Sequence, residues 1–194
     1  MLEILRIKFT KEIEEKKLEL IHEDFLEYKL PKKQLIIGAI PYHITTQIML
    51  KLLETGFEKA VLVVQKEYAE RILSEPGSKE YSRLTVLLKT QCIPEIIGFI
   101  PKEKFTPQPK VDSAILVLEP LKKKIKLNEI FVRSLFNHKK QTVKNALRHS
   151  RHEFKLDKVK MEEKINKIKK EFLDKKVYEL SIPEISECEK QFLK

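Results

Sequence analysis

Gly38-Ala39-Ile40-Pro41-Tyr42-His43-Ile44 is the stretch of this chain whose residue types best suit chemistry. It follows a short buried-strand pattern, Gln34-Leu35-Ile36-Ile37, and runs into a helix-like stretch from Thr45 to Leu53. A strand ending in small residues, a proline and a tyrosine sets an aromatic ring at its C-terminal edge, where open α/β sheets take their ligands. Pro41 fixes its own φ and biases Ile40 toward an extended conformation, so the carbonyls before it are rigid and outside any helix ladder. Rigid acceptors beside an exposed ring suit a flat heterocycle that carries an amino group. A strand that merely ends in a proline turn over a half-buried tyrosine satisfies the same residues, and taken alone they favour that reading. Phe105 stands before Thr106-Pro107-Gln108-Pro109-Lys110-Val111-Asp112-Ser113, a loop stiffened by two prolines. Its ring can face Tyr42 or fill a core edge. Asp24, just past the strand-like Leu18–His22, can accept from a ligand's amino or hydroxyl group, or cap the next turn, the commoner role for a lone aspartate.

The elements that must position these residues alternate. Leu2–Phe9 reads as a strand, Thr10–Lys17 as a short charged helix and Leu18–His22 as a second strand. Thr45–Leu53 is a helix that Gly56 ends, and Lys59–Gln65 is a fully buried strand. Lys66–Leu73 and Tyr81–Gln91 read as helices, the second with Leu84, Leu87 and Leu88 on one side. Ile93–Ile100 and Ala114–Leu118 form a terminal antiparallel pair around the proline loop. Past Glu119-Pro120-Leu121-Lys122-Lys123-Lys124 the pattern is helical, over Glu129–Phe136, Lys140–Arg151, Asp157–Leu173 and Ile182–Leu193. The reading is an α/β domain over residues 1–120 and a small all-α domain over 121–194.

The charge divides at the same place. Residues 1–120 balance 18 Lys and Arg against 18 Asp and Glu, whereas residues 121–194 carry 21 against 11, the whole net charge of +10. A neutral working domain joined to a basic one points to nucleic acid. A charge-rich, thermophile-like surface explains the many ions but not their one-sided excess. No run approaches the roughly 18 apolar residues of a membrane span. Cys92 and Cys188 lack any zinc-ligand spacing, so no metal is expected, and two isolated cysteines fit a reducing cytoplasm.

Three stretches resemble the small-subunit ribosomal RNA adenine N6-dimethyltransferases: Gly38–Ile44; Val64–Arg71 with Pro76-Gly77-Ser78-Lys79-Glu80-Tyr81-Ser82-Arg83-Leu84; and Phe105–Ala114. Phe131–Leu147 is similar to that family's rRNA-contacting helical segment, and Val177–Ser181 to the entry of its last helix. The resemblance implies a Rossmann-like methyltransferase sheet and S-adenosyl-L-methionine as cofactor. It implies dimethylation of two adjacent adenosines near the 3′ end of small-subunit rRNA, by a monomer that acts in ribosome biogenesis. It places the reaction at Ala39, Ile40, Pro41, Tyr42 and Phe105, with the Ile40 carbonyl accepting from the target amine. Cofactor contacts would come from Glu3, Asp24, Phe25 and Ala39. RNA contacts would come from Lys110, Arg133, Lys139, Lys140, Lys144 and Arg148. Two departures accompany it. Ala39 stands where the family has Asn, and the four glycines, Gly38, Gly56, Gly77 and Gly98, form no G-x-G loop. The chain is therefore expected to begin at the family's second strand and to hold the cofactor weakly. A catalytically impaired rRNA-binding assembly factor is the alternative expectation.

Overall fold

The computed structural model describes residues 2–31 and 34–194. Helices α1 (Leu2–Lys8) and α2 (Thr10–Glu14) open the chain. Strand β1 (Leu35–Ala39) leads through a single 3-10 turn, Tyr42–Ile44, into α3 (Thr45–Thr55). Then come β2 (Lys59–Gln65), α4 (Lys66–Leu73), α5 (Arg83–Lys89), β3 (Cys92–Ile100) and β4 (Ser113–Pro120). The helical part holds α6 (Glu129–Phe136), α7 (Val143–His149), α8 (Lys158–Ile165), α9 (Lys170–Leu173) and α10 (Ile182–Leu193).

The four strands lie in the order β1-β2-β4-β3, with β1 and β2 parallel and the other pairs antiparallel. Ala60, Leu62 and Val64 of β2 share a face with Ala114, Leu116 and Leu118 of β4. Ile48, Met49 and Leu52 of α3 and Ala69 and Ile72 of α4 complete that apolar layer. The opposite face is not covered to the same degree by the described residues: Leu35 is 69% and Ile37 86% exposed. For that reason β2, expected to be buried throughout, instead alternates, with Val61 and Val63 only half-buried.

Two expected strands are absent. Leu2, Leu5 and Phe9, three and four residues apart, form the half-buried stripe of a helix, so Leu2–Phe9 follows the 3.6-residue period rather than the 2-residue one. Leu18–His22 alternates in burial but pairs with no strand among the described residues, and it lies beside α1 and α2. The expected helix over Tyr81–Gln91 contracts to α5, because the Ser82 hydroxyl accepts from the Thr85 N–H and starts it there. Thr85, Val86 and Leu88 are its buried residues, whereas Leu84 and Leu87 are half-buried.

A second apolar core sits among the helices, built on Phe131, Leu135, Leu147, Ile165, Ile185 and Phe192. Asn128, Thr142, Asp157 and Ser181 each cap a helix through a side-chain oxygen. The expected Asp157–Leu173 helix is broken between α8 and α9, where the Lys169 N–H donates to the Gln191 side chain at 2.9 Å. The break shifts the inward face by one residue, so Leu173 is buried and Phe172 only half-buried. Tyr81 and Val86 of the α/β part enter this helical core, with the Tyr81 ring edge-on to Phe136 at 5.7 Å. The Gly77 N–H donates to the Tyr178 carbonyl at 2.7 Å, from a φ of +91° that favours glycine.

Candidate functional site

The turn that ends β1 forms one wall of a cavity of about 300 Å³. Ala39, Ile40, Pro41 and Tyr42 line it from this side, Val63 from β2, and Phe105, Pro107 and Pro109 from the loop between β3 and β4. The structure thus brings together all five residues expected at the reaction centre. The cavity lies at the C-terminal ends of the two parallel strands, and its volume is at the lower end of the roughly 300–1,000 Å³ of ligand pockets.

Each wall is fixed by identifiable bonds. Pro41 holds φ −62° and ψ 129°, which ends the strand and starts the 3-10 turn. Its carbonyl accepts from the Ile44 N–H and the Thr45 hydroxyl, both at 3.2 Å, and is therefore occupied. The Ile40 N–H donates to the Val63 carbonyl at 3.3 Å, while the Ile40 carbonyl accepts no hydrogen bond among the described residues. One rigid acceptor remains beside the half-buried Tyr42 ring. The Tyr42 and Ser113 hydroxyls, 2.6 Å apart, join the turn to β4.

Asp112 closes the proline loop. Its carboxylate accepts from the Lys102 N–H at 3.0 Å and its carbonyl from the Lys66 N–H at 2.9 Å. Both ends of the loop are thereby tied to the β2–α4 junction, and Phe105 lines the same cavity as Tyr42. Sequence reasoning left Ser113 and Asp112 without roles. Their only signal was membership of the same motif as Phe105.

The expected cofactor residues do not converge in this way. Asp24 accepts from the Leu26 N–H at 2.8 Å, the turn-capping role. Phe25 packs on the sheet's apolar layer, with Lys51 Nζ 5.7 Å from its ring centre. Glu3 lies exposed on α1, a helix with no buried residue, and not at a strand end. Of the four, Ala39 alone reaches the cavity. A Cβ on Gly38 would stand 3.5 Å from the nearest side-chain atom, ordinary contact, so β1 gives no glycine-dependent close approach there.

The expected RNA-contacting cations divide into engaged and free ones. Lys139 turns back to the α/β part, its ammonium donating to the carbonyls of Lys79 at 2.6 Å and Tyr81 at 3.1 Å. Arg133 pairs with Glu153, and Arg148 grips Glu162 with two bonds of 2.5 and 2.7 Å. Those bonds, more than Coulomb attraction, raise the Arg148 pKa and lower that of Glu162. Lys110 and Lys140 are exposed and make no ion pair among the described residues, and Lys144 is half-buried beside Glu162.

A family model described as ribosomal RNA adenine dimethylase matches residues 1–184. A probable ribosomal RNA small subunit methyltransferase A of Thermococcus onnurineus (strain NA1) is 38% identical over 192 residues, covering 97% of this chain and 69% of that protein. The protein of the same description from Thermococcus gammatolerans is 37% identical over 174 residues, covering 89% and 62%. The chain thus spans about two thirds of the length of these curated relatives. Among solved structures, a dimethyladenosine transferase from Plasmodium falciparum superposes with a TM-score of 0.77 at 26% identity, covering 92% of this chain and 74% of that one. The 23S rRNA methyltransferase ErmE shares the fold with a TM-score of 0.64 at 24% identity, over 99% and 78%.

Proposed function

This chain belongs to the ribosomal RNA adenine dimethylase family, and we propose that it receives an adenine of small-subunit rRNA for N6-dimethylation in the cavity between Tyr42 and Phe105. The observation that carries this reading is that cavity, lined by Tyr42, Phe105 and Ile40, whose carbonyl accepts no hydrogen bond among the described residues. Adenine N6 is a poor nucleophile because its lone pair is delocalised into the ring. An acceptor on one N–H localises the pair and orients it, so positioning supplies most of the rate. The Ile40 carbonyl is suited to that role, since Pro41 keeps it out of the following helix ladder. The base must leave its helix, and stacking on Tyr42 and Phe105 offsets that cost by about 1–3 kcal/mol per base.

S-adenosylmethionine is the methyl donor that this reading implies. The described residues do not fit the whole of it: Asp24 is engaged in its turn, Glu3 stands on an exposed helix, and no glycine-rich turn is present among them. What they provide is the base side of the reaction, and the reading of the basic helices as the rRNA-docking face accompanies it.

A second reading has one observation in its favour. Ala39 lines the cavity with a methyl group that accepts no hydrogen bond, which suits a small-subunit assembly factor that captures the base without methylating it.

The test places 2-aminopurine at each target adenine of a small-subunit rRNA fragment and follows its fluorescence. Stacking should change the emission with the wild-type chain, and Tyr42→Ala or Phe105→Ala should abolish that change while rRNA affinity falls only several-fold. An unaltered emission with wild type excludes the cavity as the base site. Methyl incorporation into undermethylated small subunits, with Ala39 and with Ala39→Asn, then separates the two readings. A rise of at least roughly tenfold with Asn favours the enzyme. Absence of methylation from both, with rRNA bound and S-adenosylmethionine binding verified by calorimetry, favours the assembly factor.

A further inference from the structure

Between the end of α7 and the start of α8 lies a cleft of about 350 Å³, lined by Arg148, Arg151, Lys158, Met161 and Glu162. It is separate from the cavity at Tyr42, and Arg151 and Lys158 were not among the cations expected to touch RNA. Three of its five lining residues are cationic. The one carboxylate, Glu162, is already held by Arg148, at 2.5 Å from Nε and 2.7 Å from Nη2. That grip leaves the donors of Nη1 unspent, since a guanidinium carries five N–H groups. Arg151 and Lys158 are exposed, and neither makes an ion pair among the described residues.

A further detail bears on the same place. The positive end of a helix dipole favours acidic residues in the first turn. Yet α8 has none there and carries Lys158 and Lys160 instead. Asp157, its cap, is the acid at that end, with its carboxylate accepting from the Lys160 N–H at 2.8 Å. Positive charge has thus been gathered where the fold itself disfavours it, around a concave surface. A polyanion supplies the missing counter-charge.

We propose that this cleft docks an RNA phosphate through Arg148, Arg151 and Lys158, with Glu162 as the positioning residue that holds Arg148 across it. The proposal rests on the reading of the chain as an rRNA-binding protein, and it adds a second contact region to Lys140 and Lys144 near the start of α7. Such a contact is independent of base sequence, because it reads only the backbone.

The experiment measures the affinity of a transcribed RNA hairpin for the full chain across a salt series. Each phosphate contact contributes about 0.9 to the slope of log affinity against log salt. The variant Arg151→Ala/Lys158→Ala should lower that slope by about two. The charge-keeping swap Arg151→Lys/Lys158→Arg should restore the wild-type slope, and Lys122→Ala/Lys123→Ala, which removes equal charge from an exposed linker, should leave it nearly unchanged. A steep wild-type slope that the cleft variant does not alter overturns the cleft and leaves the RNA reading standing. Equal losses from the cleft and linker variants also overturn it, since net charge then explains both. A wild-type chain with no salt-dependent affinity overturns the RNA reading and the cleft together.

Discussion

The hydroxyls of Tyr42 and Ser113 meet at 2.6 Å across 71 positions of sequence, joining the turn after β1 to the first residue of β4. The ring that walls the cavity is therefore held by the antiparallel half of the sheet as well as by its own strand. A double-mutant cycle of Tyr42→Phe and Ser113→Ala, followed by urea unfolding, should return a coupling energy of about 0.5–1.5 kcal/mol. Additive effects would show that the two hydroxyls act independently.

Lys139 and Lys140 are neighbours that differ in engagement, the first bonded to two carbonyls and the second exposed. Lys139→Ala should cost about 1–2 kcal/mol of stability, since two carbonyls lose a charged donor, and should leave the salt slope of RNA binding near wild type. Lys140→Ala should lower the slope by about 0.9 and leave stability unchanged. Thermal melts and salt titrations of both variants decide the assignment, which exchanged effects would reverse.

Glu184 sets an acid limit on the helical part. Burial works to raise its pKa. The Lys175 ammonium at 2.5 Å and the Ser181 N–H and hydroxyl, each at 2.8 Å, outweigh it and hold the carboxyl below its ordinary value of 4.5. A depressed folded-state pKa contributes stability in full above the ordinary value and loses it as pH falls through the folded one. Melting temperature should thus decline below about pH 4.5, and Glu184→Gln should make that decline shallower. A variant with the wild-type acid profile would assign the limit to other carboxylates.

Both thiols should be inert in the folded chain. Burial pushes Cys92 and Cys188 up to about 12, against which Lys124 is a minor opposing influence at Cys92. Because the thiolate is the reactive species, a thiol reagent near neutral pH should label neither until denaturant is added. Rapid labelling of the native protein would mean that these cores open more readily than their packing implies.

Two helices of the helical part were readable to the residue because their signals are local, whereas the helix expected over Lys140–Arg151 contracts to α7, which Thr142 caps. Asn128 and Ser181 sit one residue before helices whose expected bounds, Glu129–Phe136 and Ile182–Leu193, are those observed. The α8–α9 break was not readable, because its cap is Gln191, 22 residues along the chain. Leu2–Phe9 and Leu18–His22 misled for another reason, although the helix expected from Thr10 is there as α2. Leu-Glu-Ile-Leu-Arg-Ile-Lys-Phe satisfies both the strand and the helix period over so short a span, and only a neighbouring strand could have decided between them. At the site, aromatic and proline residues announced Tyr42 and Phe105. The hydroxyl of Ser113 and the carboxylate of Asp112 act through partners distant in sequence, and Lys139 differs from Lys140 only in the direction its side chain takes.

The Gly77–Tyr178 bond and the Lys139 clasp fasten the helices to the sheet at a single seam. On the proposed function, a base cavity in the α/β part and a cationic cleft in the helical part, joined by that seam, would make the chain a ruler. Seating the RNA backbone in the cleft would decide how many nucleotides away the base that meets Tyr42 can stand. The target would then be picked by counting along a shape, and substitutions in the seam would shift which adenine is chosen before they weakened the grip on the RNA.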